Sequence, residues 1–321
     1  MKTLYIECNM GAAGDMLAAA LLEIHPDPEK VLEKLNNMGL TGVEFSLEPS
    51  VKCGVCGSHF RVVVNGEEEE SMDVHDHPQV HTHTDENGNV YTHSHEHHGL
   101  EEIEHIVSHL ELPDEVKKNV LEVYKLIAEA EAHVHGSTPD QIHFHEVGTL
   151  DAVADVSAVC LLMHEIAPER IVASPVHVGS GNVKCAHGIL PVPAPATAYL
   201  LQGIPSYGGT VQGELCTPTG AALLKYFVQE FEPQPVMVTE RIGYGMGMKD
   251  FERANCVRIM LGESGDSGDV IVELACNLDD ITAEETGFAI EQLLDAGALD
   301  VYTQSACMKK TRPGIILTVL C

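Results

Sequence analysis

The sequence predicts an α+β protein, with a mixed α/β N-terminal domain and a smaller C-terminal domain that carries part of a ferredoxin-like fold. Three observations support this class. Strand-like and helix-like segments follow one another along the chain. Its 321 residues suit about two domains, and the Gly/Ser/Asp run at 263–269 has the composition of a linker. We therefore expect an N-terminal domain at 1–262 and a C-terminal domain at 270–321.

In the N-terminal domain, hydrophobic periodicity and turn residues separate the elements. A first strand leads into the glycine-rich turn Asn9–Met16, which opens an Ala/Leu-rich helix ending near Leu22. The segment Gly243–Gly247 is interpreted as a flexible loop. Strands are expected at 3–8, 43–64, 170–180, 235–242 and 255–261. Further helices are expected at 26–39, 113–136 and 149–165, and two more begin near Pro193 and Pro218.

The C-terminal residues predict a β-α-β-β order of elements. Strands are expected at 270–276, 299–307 and 314–320. The helix begins at Thr282, which forms a capping box with Glu285 three residues later. This order is the first part of a ferredoxin-like split unit, which needs one more helix and strand. We therefore expect an incomplete domain, completed by sequence beyond Cys321 or by another chain.

The charge of the chain excludes two classes of partner. Forty-nine acidic residues against eighteen basic ones give a net charge of −31. Such a field repels the phosphates of nucleic acids and of anionic membranes, so we expect neither as a partner. Multivalent cations are favoured, and a phosphate-bearing ligand needs a metal ion or a locally basic pocket.

Targeting signals and cysteines indicate the compartment. The apolar run Thr3–Ile6 is too short for a signal-peptide core, and no run approaches the roughly 20 apolar residues of a membrane span. Ten cysteines without a secretory signal indicate a reducing compartment. Cys53 and Cys56, with His59 nearby, lack the second cysteine pair of a zinc site, so we expect a tight hairpin there. The expected location is cytoplasmic.

The most unusual segment is 62–116, which holds fifteen acidic residues and ten histidines but no Lys or Arg. Apolar residues are sparse between 66 and 100, so we expect a mobile insertion there. Neutral imidazoles with carboxylates suit nickel, copper or zinc. Storage or delivery is favoured over catalysis, which needs a fixed geometry; a solvated acidic loop is the alternative. The candidate metal ligands are His75, His77, His81, His83, His93, His95, His97 and His98.

A second cluster places imidazoles beside carboxylates. His143 and His145 share one face of an extended segment, because alternate residues point the same way, and Glu146 follows them. Asp151 and Asp155 lie one turn apart on the next helix, where like charges repel by about 0.2–0.5 kcal/mol unless a cation lies between them. These five are candidate catalytic residues, and the two histidines are also candidate metal ligands. Local packing and interaction with the helix dipole are the alternative.

Three helix starts with small residues are candidate anion sites, since the N–H groups of a first turn can hold phosphate or carboxylate. Ordinary helix caps have the same appearance. The first contains Gly11, Gly14 and Asp15, the second lies at 193–197, and the third contains Thr217, Thr219 and Gly220.

A basic turn lies near the end of the chain, and paired aspartates precede it. Asp279 and Asp280 end a predicted strand, and Lys309, Lys310 and Arg312 place three cations in four residues. In so acidic a chain this favours a triphosphate bound with a divalent ion, although a solvated turn explains it equally well. The sequence has no Gly-x-x-x-x-Gly-Lys-Ser/Thr loop, which excludes a P-loop site.

Seven segments together resemble a known family. They are Tyr5–Met16, His143–Gly148, Gly179–Gly188, Leu190–Thr197, Gly213–Gly220, Asn277–Asp280 and Met308–Lys310. In this order they resemble the LarC family, the nickel insertion proteins for the nickel-pincer cofactor of lactate racemase. The resemblance implies a CTP-dependent cyclometallase that places Ni²⁺ into pyridinium-3,5-bisthiocarboxylic acid mononucleotide. It also implies a chain that continues further and assembles into homo-oligomers, with CTP and Mg²⁺ or Mn²⁺ bound near the basic turn.

The leading hypothesis is therefore a nickel-inserting lyase of the metal chelatase type. The His/Asp cluster would hold nickel or accept the ring proton that leaves as the carbon–nickel bond forms. The helix starts at Gly14 and Thr217 would hold the pyridinium mononucleotide. Two alternatives remain: a non-catalytic nickel store or delivery protein that uses the histidine stretch, and a metal-dependent hydrolase that uses the His/Asp cluster.

Overall fold

The protein is described by a computed structural model covering residues 1–66, 83–84, 90–91, 99–142, 144, 147–185, 188–265 and 271–321. The chain divides into two compact units, Met1–Ser264 and Gly265–Cys321. The structure confirms the α+β class, with helices and mixed sheets throughout the described residues. None of the helices in these ranges is long and apolar enough to cross a membrane.

A seven-stranded mixed sheet forms the centre of the first unit, with strand order β13-β6-β1-β15-β14-β3-β2. The strands of this unit are β1 Lys2–Glu7, β2 Val43–Lys52, β3 Val55–Val64, β4 His83–Thr84, β5 Val90–Tyr91, β6 Arg170–Ala173, β7 Val176–His177, β8 Gly179–Ser180, β9 Asn182–Cys185, β10 Gly188–Pro191, β11 Ser206–Tyr207, β12 Gly213–Glu214, β13 Glu230–Phe231, β14 Met237–Met246 and β15 Cys256–Ser264. The helices are α1 Gly14–Ile24, α2 Pro28–Asn36, α3 Leu100–His109, α4 Asp114–His135, α5 Leu150–Ile166, α6 Pro195–Leu200 and α7 Pro218–Phe227.

The longest helices follow from signals that are local in sequence. In α4, Val116, Val120, Tyr124 and Ile127 recur on one face and are fully buried. The helix ends at Gly136, whose φ of 63° is the left-handed conformation that glycine adopts without strain. Helix α5 is buried from Ala152 to Met163 and therefore packs inside the unit.

Helix α1 lies directly on the sheet because glycines in β14 remove the side chains that would separate them. A Cβ atom on Gly245 would lie 1.7 Å from the Met16 carbonyl oxygen, and one on Gly243 would lie 2.2 Å from that of Ala20. The prediction of a flexible loop at 243–247 is wrong. Glycines two residues apart share one face of a strand, and here that face meets a helix backbone.

The prediction of one continuous strand at 170–180 is also wrong. The segment holds three strands with different neighbours: β6 pairs with β1 and β13, β7 pairs with β11, and β8 pairs with β12. Pro175 separates the first two strands and has no N–H group for a ladder hydrogen bond. Gly179 has a φ of 87°, which turns the chain between the second and third.

The second unit is a three-stranded antiparallel sheet with one helix. Its elements are β16 Glu273–Leu278, α8 Ala283–Asp295, β17 Asp300–Met308 and β18 Arg312–Leu320, and the strand order is β16-β18-β17. Thr282 and Glu285 form the predicted capping box. The β-α-β-β order is as expected from the sequence, whereas the incomplete ferredoxin-like assignment and the domain boundaries stay predictions.

Replacing Gly245 by alanine should destabilise the first unit. The new methyl group would collide with the backbone of α1, and we expect a loss of about 3 kcal/mol or more, measured by chemical denaturation. The matched control is Gly287→Ala in α8, where a Cβ atom meets nothing within 4 Å. It should be neutral or stabilise by up to about 1 kcal/mol, since alanine favours helix. Equal unfolding midpoints for the Gly245→Ala variant and the wild type would contradict the close packing.

Candidate active site

The N-termini of three helices meet at one cavity of about 490 Å³ in the first unit. The cavity is lined by the first turns of α1, α5 and α7, by β3, by the β9 strand and by the loop after β14. Each helix N-terminus presents N–H groups and the positive end of its dipole. In a chain of net charge −31, these helix N-termini are groups that could hold an anionic ligand.

The first and third predicted helix starts lie against each other. The N–H of Ala12 donates to the Leu215 carbonyl oxygen at 3.1 Å, and the N–H of Thr217 donates to that of Ala12 at 3.1 Å. Glycine is required on both sides, because a Cβ atom on Gly11 would lie 1.9 Å from the Leu215 oxygen and one on Gly220 would lie 2.1 Å from the Ala12 oxygen. Gly11 and Gly220 therefore hold the two loops together.

The other four predicted residues of these helix starts line the cavity: Gly14, Asp15, Thr217 and Thr219. Thr217 caps α7 by accepting a hydrogen bond from the N–H of Gly220 at 3.2 Å. Its hydroxyl lies 3.0 Å from that of Thr219. The second candidate start, at 193–197, is not part of this cavity lining.

Asp155 forms the buried end of the cavity. Its side chain lies against Gly14, where a Cβ atom would be 2.6 Å from Oδ2 of Asp155. The backbone N–H of Asp15 donates to this carboxyl group, which thereby caps α1 in place of Ala13, a residue that forms no side-chain cap. Oδ1 of Asp155 has no hydrogen-bond partner in the described residues, although the side chain is only 9% exposed.

Four carboxyl groups line the cavity, and three of them interact electrostatically: Asp15, Asp151 and Asp155. Burial raises the pKa of Asp155 well above its usual range, and the negative charges of Asp151 and then Asp15 raise it further. Burial and the neighbouring carboxylates therefore favour the protonated form of Asp155. An incoming cation would reverse this preference, because it stabilises the ionised form.

Basic residues that sequence reasoning missed also line the cavity, namely His59, Lys184 and Lys249. Nδ1 of His59 lies 3.1 Å from the Met246 carbonyl oxygen and 3.9 Å from Oδ2 of Asp15. Because a carbonyl oxygen only accepts, Nδ1 carries the proton and Nε2 carries the lone pair of the neutral ring. The sequence offered one signal: the chain has only eighteen Lys and Arg residues, so each lysine stands out.

Several predicted residues lie outside the described residues. These are His143, His145 and Glu146, together with the eight histidines from His75 to His98, of which only the backbone of His83 is described, in β4. Within the described ranges, no three His, Cys, Asp or Glu side chains form a group that could hold a metal ion. The metal-ligand assignments stay predictions.

The predicted nucleotide site belongs to the second unit. Nη1 of Arg312 lies 3.8 Å from Oδ2 of Asp279, and Asp279 lines a cavity of about 950 Å³ within this unit. Asp280 and Lys309 are not among its lining residues, and the side chain of Lys310 is outside the described part of the structure. A solvated turn remains the alternative for this basic segment.

Comparison with known proteins gives consistent matches along the whole chain. The family described as nickel insertion protein matches residues 4–321. Two relatives carry the name pyridinium-3,5-bisthiocarboxylic acid mononucleotide nickel insertion protein. The one from Desulfitobacterium hafniense is 38% identical over 99% of this chain and 75% of its own length. The one from Clostridium kluyveri is 41% identical over 100% of this chain and 77% of its own length. No solved structure matches significantly.

Replacing Asp155 by asparagine should stabilise the protein. Folding raises the pKa of Asp155 above its unfolded value of about 3.9. The folded chain thus keeps a proton that the unfolded chain releases, and stability falls as pH rises from about 4 toward the folded pKa. Asparagine removes this penalty and can still accept from the Asp15 N–H.

We expect the Tm of Asp155→Asn to exceed that of the wild type at pH 8 by about 2 °C or more, with a smaller difference at pH 5. Thermal unfolding followed by circular dichroism measures both values. The control is Asp140→Asn, at an exposed position. A difference that does not grow with pH, or a lower Tm at pH 8, would show that Asp155 is ionised in the folded state.

Proposed function

The chain belongs to the nickel insertion protein family, and from this premise we propose that it inserts Ni²⁺ into pyridinium-3,5-bisthiocarboxylic acid mononucleotide to form the nickel-pincer cofactor. The observation that carries the proposal is the cavity of the first unit, which is lined by three helix N-termini and two lysines together with a cluster of carboxyl groups. Such a lining offers groups for an anionic ligand and for a cation.

The charges of the substrate match this combination of basic and acidic groups in the cavity lining. A mononucleotide carries a phosphate, and its two thiocarboxylate groups are also anionic. We assign the phosphate to the N-terminus of α7, at Thr217 and Thr219, and to Lys184 and Lys249. A cavity of about 490 Å³ lies within the range of small-molecule sites. The thiocarboxylate sulfurs are soft ligands that suit nickel.

Insertion requires a base as well as a metal. The ring C–H bond between the two thiocarboxylates breaks, its electron pair forms the carbon–nickel bond, and its proton must be accepted. We assign the role of proton acceptor to Asp155, with assistance from Asp151. The positive charge of Ni²⁺ lowers the pKa of a nearby carboxyl group. Arrival of the metal would thus make Asp155 release its own proton to water, and the resulting carboxylate could take the ring proton.

The residues His143, His145 and Glu146 remain proposed nickel ligands or proton acceptors. They follow Ile142 and flank Phe144, both of which are buried. Val147, the next described residue, lines the cavity and accepts a hydrogen bond from the Tyr124 hydroxyl at 3.1 Å.

We also propose that insertion depends on CTP with Mg²⁺ or Mn²⁺, as a lyase of the metal chelatase type. Asp279 would hold the divalent ion, with Asp280 beside it, and Arg312, Lys309 and Lys310 would hold the phosphates. The 3.8 Å approach of Arg312 to Asp279 fits this, because it joins a cation to a carboxylate beside a cavity. Bound CTP would supply free energy for insertion. A homo-oligomer and a cytoplasmic location are part of the same proposal.

A nickel store is the second candidate function, and the eight histidines between 66 and 100 favour it. Deleting residues 71–98 separates the two functions. If the cavity carries catalysis, insertion should be unchanged at saturating nickel and reduced only when nickel is limiting. Complete loss of insertion at saturating nickel would instead favour the histidine stretch as the functional part.

Replacing Lys184 by alanine should weaken substrate binding. Loss of one charge-assisted contact to phosphate raises KM by roughly tenfold to a hundredfold, with a small change in kcat. Arginine at this position should retain most of the affinity, and the exposed Lys30→Ala on α2 is the control. Insertion is measured by mass spectrometry of the nickel product. An unchanged KM for the alanine variant would remove Lys184 from the phosphate site.

Replacing Asp155 by asparagine should lower kcat for insertion by about a hundredfold or more, because a general base contributes roughly 10²–10⁴. Substrate binding should change little, since the phosphate is assigned to other residues, namely Lys184, Lys249 and the N-terminus of α7. The same mass-spectrometric assay reports both constants, and wild-type kcat in this variant would exclude Asp155 as the base.

A further inference from the structure

Two histidines on α3 lie outside the cavity and are not used by the proposed insertion reaction. His105 and His109 are four residues apart, so they share one face of the helix. Both are exposed. Their ring centroids are 4.4 Å apart and the rings are tilted by 56°. Two histidines at this spacing on a helix are an established way for proteins to bind a divalent metal.

The distance between the rings suits an octahedral or square-planar ion. With a metal–nitrogen bond of about 2.1 Å, two imidazoles in neighbouring positions have ring centroids about 4.5 Å apart. The observed 4.4 Å already has this value. Binding would therefore need rotation of the two rings but no movement of the helix.

The hydrogen bonds of His109 prepare it as a ligand. Its Nδ1 lies 2.8 Å from the His105 carbonyl oxygen and 3.1 Å from the Ser108 hydroxyl. Because the carbonyl oxygen only accepts, Nδ1 carries the proton and the lone pair of the neutral ring is on Nε2. Metal-binding histidines commonly donate the other ring N–H to a carbonyl in this way, which fixes the tautomer.

The local charge also favours a cation. His109 is the last residue of α3, at the negative end of the helix dipole. Glu101 lies one turn before His105 on the same face. Positive charges nearby include Lys117, whose Nζ donates to the Ser108 carbonyl oxygen at 3.0 Å, and Lys125, which interacts with Glu104; the segment from 62 to 116 itself contains no Lys or Arg.

We propose that His105 and His109 form a surface site for one divalent late transition ion, taken as Ni²⁺, with water completing its coordination. The identity of the metal rests on the proposed function, whereas the site itself rests on the helix geometry. Such a site holds nickel at a fixed position on the folded unit, separate from the cavity where insertion takes place.

The test is histidine footprinting of the full chain with diethyl pyrocarbonate, which modifies each accessible imidazole and is read residue by residue by mass spectrometry. Ni²⁺ should protect His105 and His109 together, with one shared midpoint, and Mg²⁺ should protect neither. The control within the same spectra is His164, which is 35% exposed and has no histidine four residues away.

Variants separate a two-imidazole site from independent binding. In His109→Ala, the nickel concentration that half-protects His105 should be at least roughly tenfold higher than in the wild type. The reason is that the variant lacks the second imidazole, which acts at high effective concentration on an ion bound to the first. In His109→Cys, a thiolate replaces the imidazole, and protection of His105 should persist. His105→Ala allows the same measurement on His109. A modification pattern at the other histidines that matches the wild type shows that each variant is folded.

Identical nickel midpoints for His105 in the wild type and in His109→Ala would overturn the proposal, as would no protection at millimolar nickel. The footprint is recorded without the mononucleotide. Failure of the insertion reaction therefore leaves this result unaffected, and failure of the footprint leaves the proposed insertion site unaffected.

Discussion

The cavity depends on the close approach of α1 to its neighbours. At its N-terminus, Gly14 allows the Asp155 side chain to reach the first turn, where the Asp15 N–H donates to it. Further along, Gly245 allows the backbone of the helix to lie on the sheet. A methyl group at either glycine would meet an atom within 3 Å, so the position of α1 is set within a few tenths of an ångström. The Gly14 contact also places the first turn of α5, and the contact of Gly220 with the Ala12 carbonyl oxygen places that of α7.

This packing buries a carboxyl group that the fold itself does not neutralise. Asp155 receives one backbone N–H, while its second oxygen has no partner in the described residues and two other aspartates line the same cavity. A hydrophobic side chain at this position would make the folded protein more stable. Burial of unpaired polar groups is expected where function requires it, and a cation that binds there relieves both the repulsion and the raised pKa.

The features of the site that depend on residues close together in the sequence could be predicted from the sequence. Thr149 and Thr217 were readable as helix caps, and the Asp151/Asp155 spacing placed both carboxyl groups on one face of α5. Lys184, Lys249 and His59 could not be found in this way, because they reach the cavity from strands and loops far apart in sequence. The glycine pattern at Gly243 and Gly245 predicts a loop, because only the packed helix shows why a strand there needs glycine.

The central claim is that the cavity keeps Asp155 protonated until nickel and the mononucleotide arrive. Infrared difference spectroscopy tests it directly, because a protonated carboxyl group has a carbonyl stretch that a carboxylate lacks. At neutral pH the wild type should show a carboxylic acid band that is absent from Asp155→Asn and that disappears when nickel and the mononucleotide are added without CTP, so that no ring proton is returned to Asp155. A wild-type spectrum without that band, or a band unchanged by both ligands, would contradict the account.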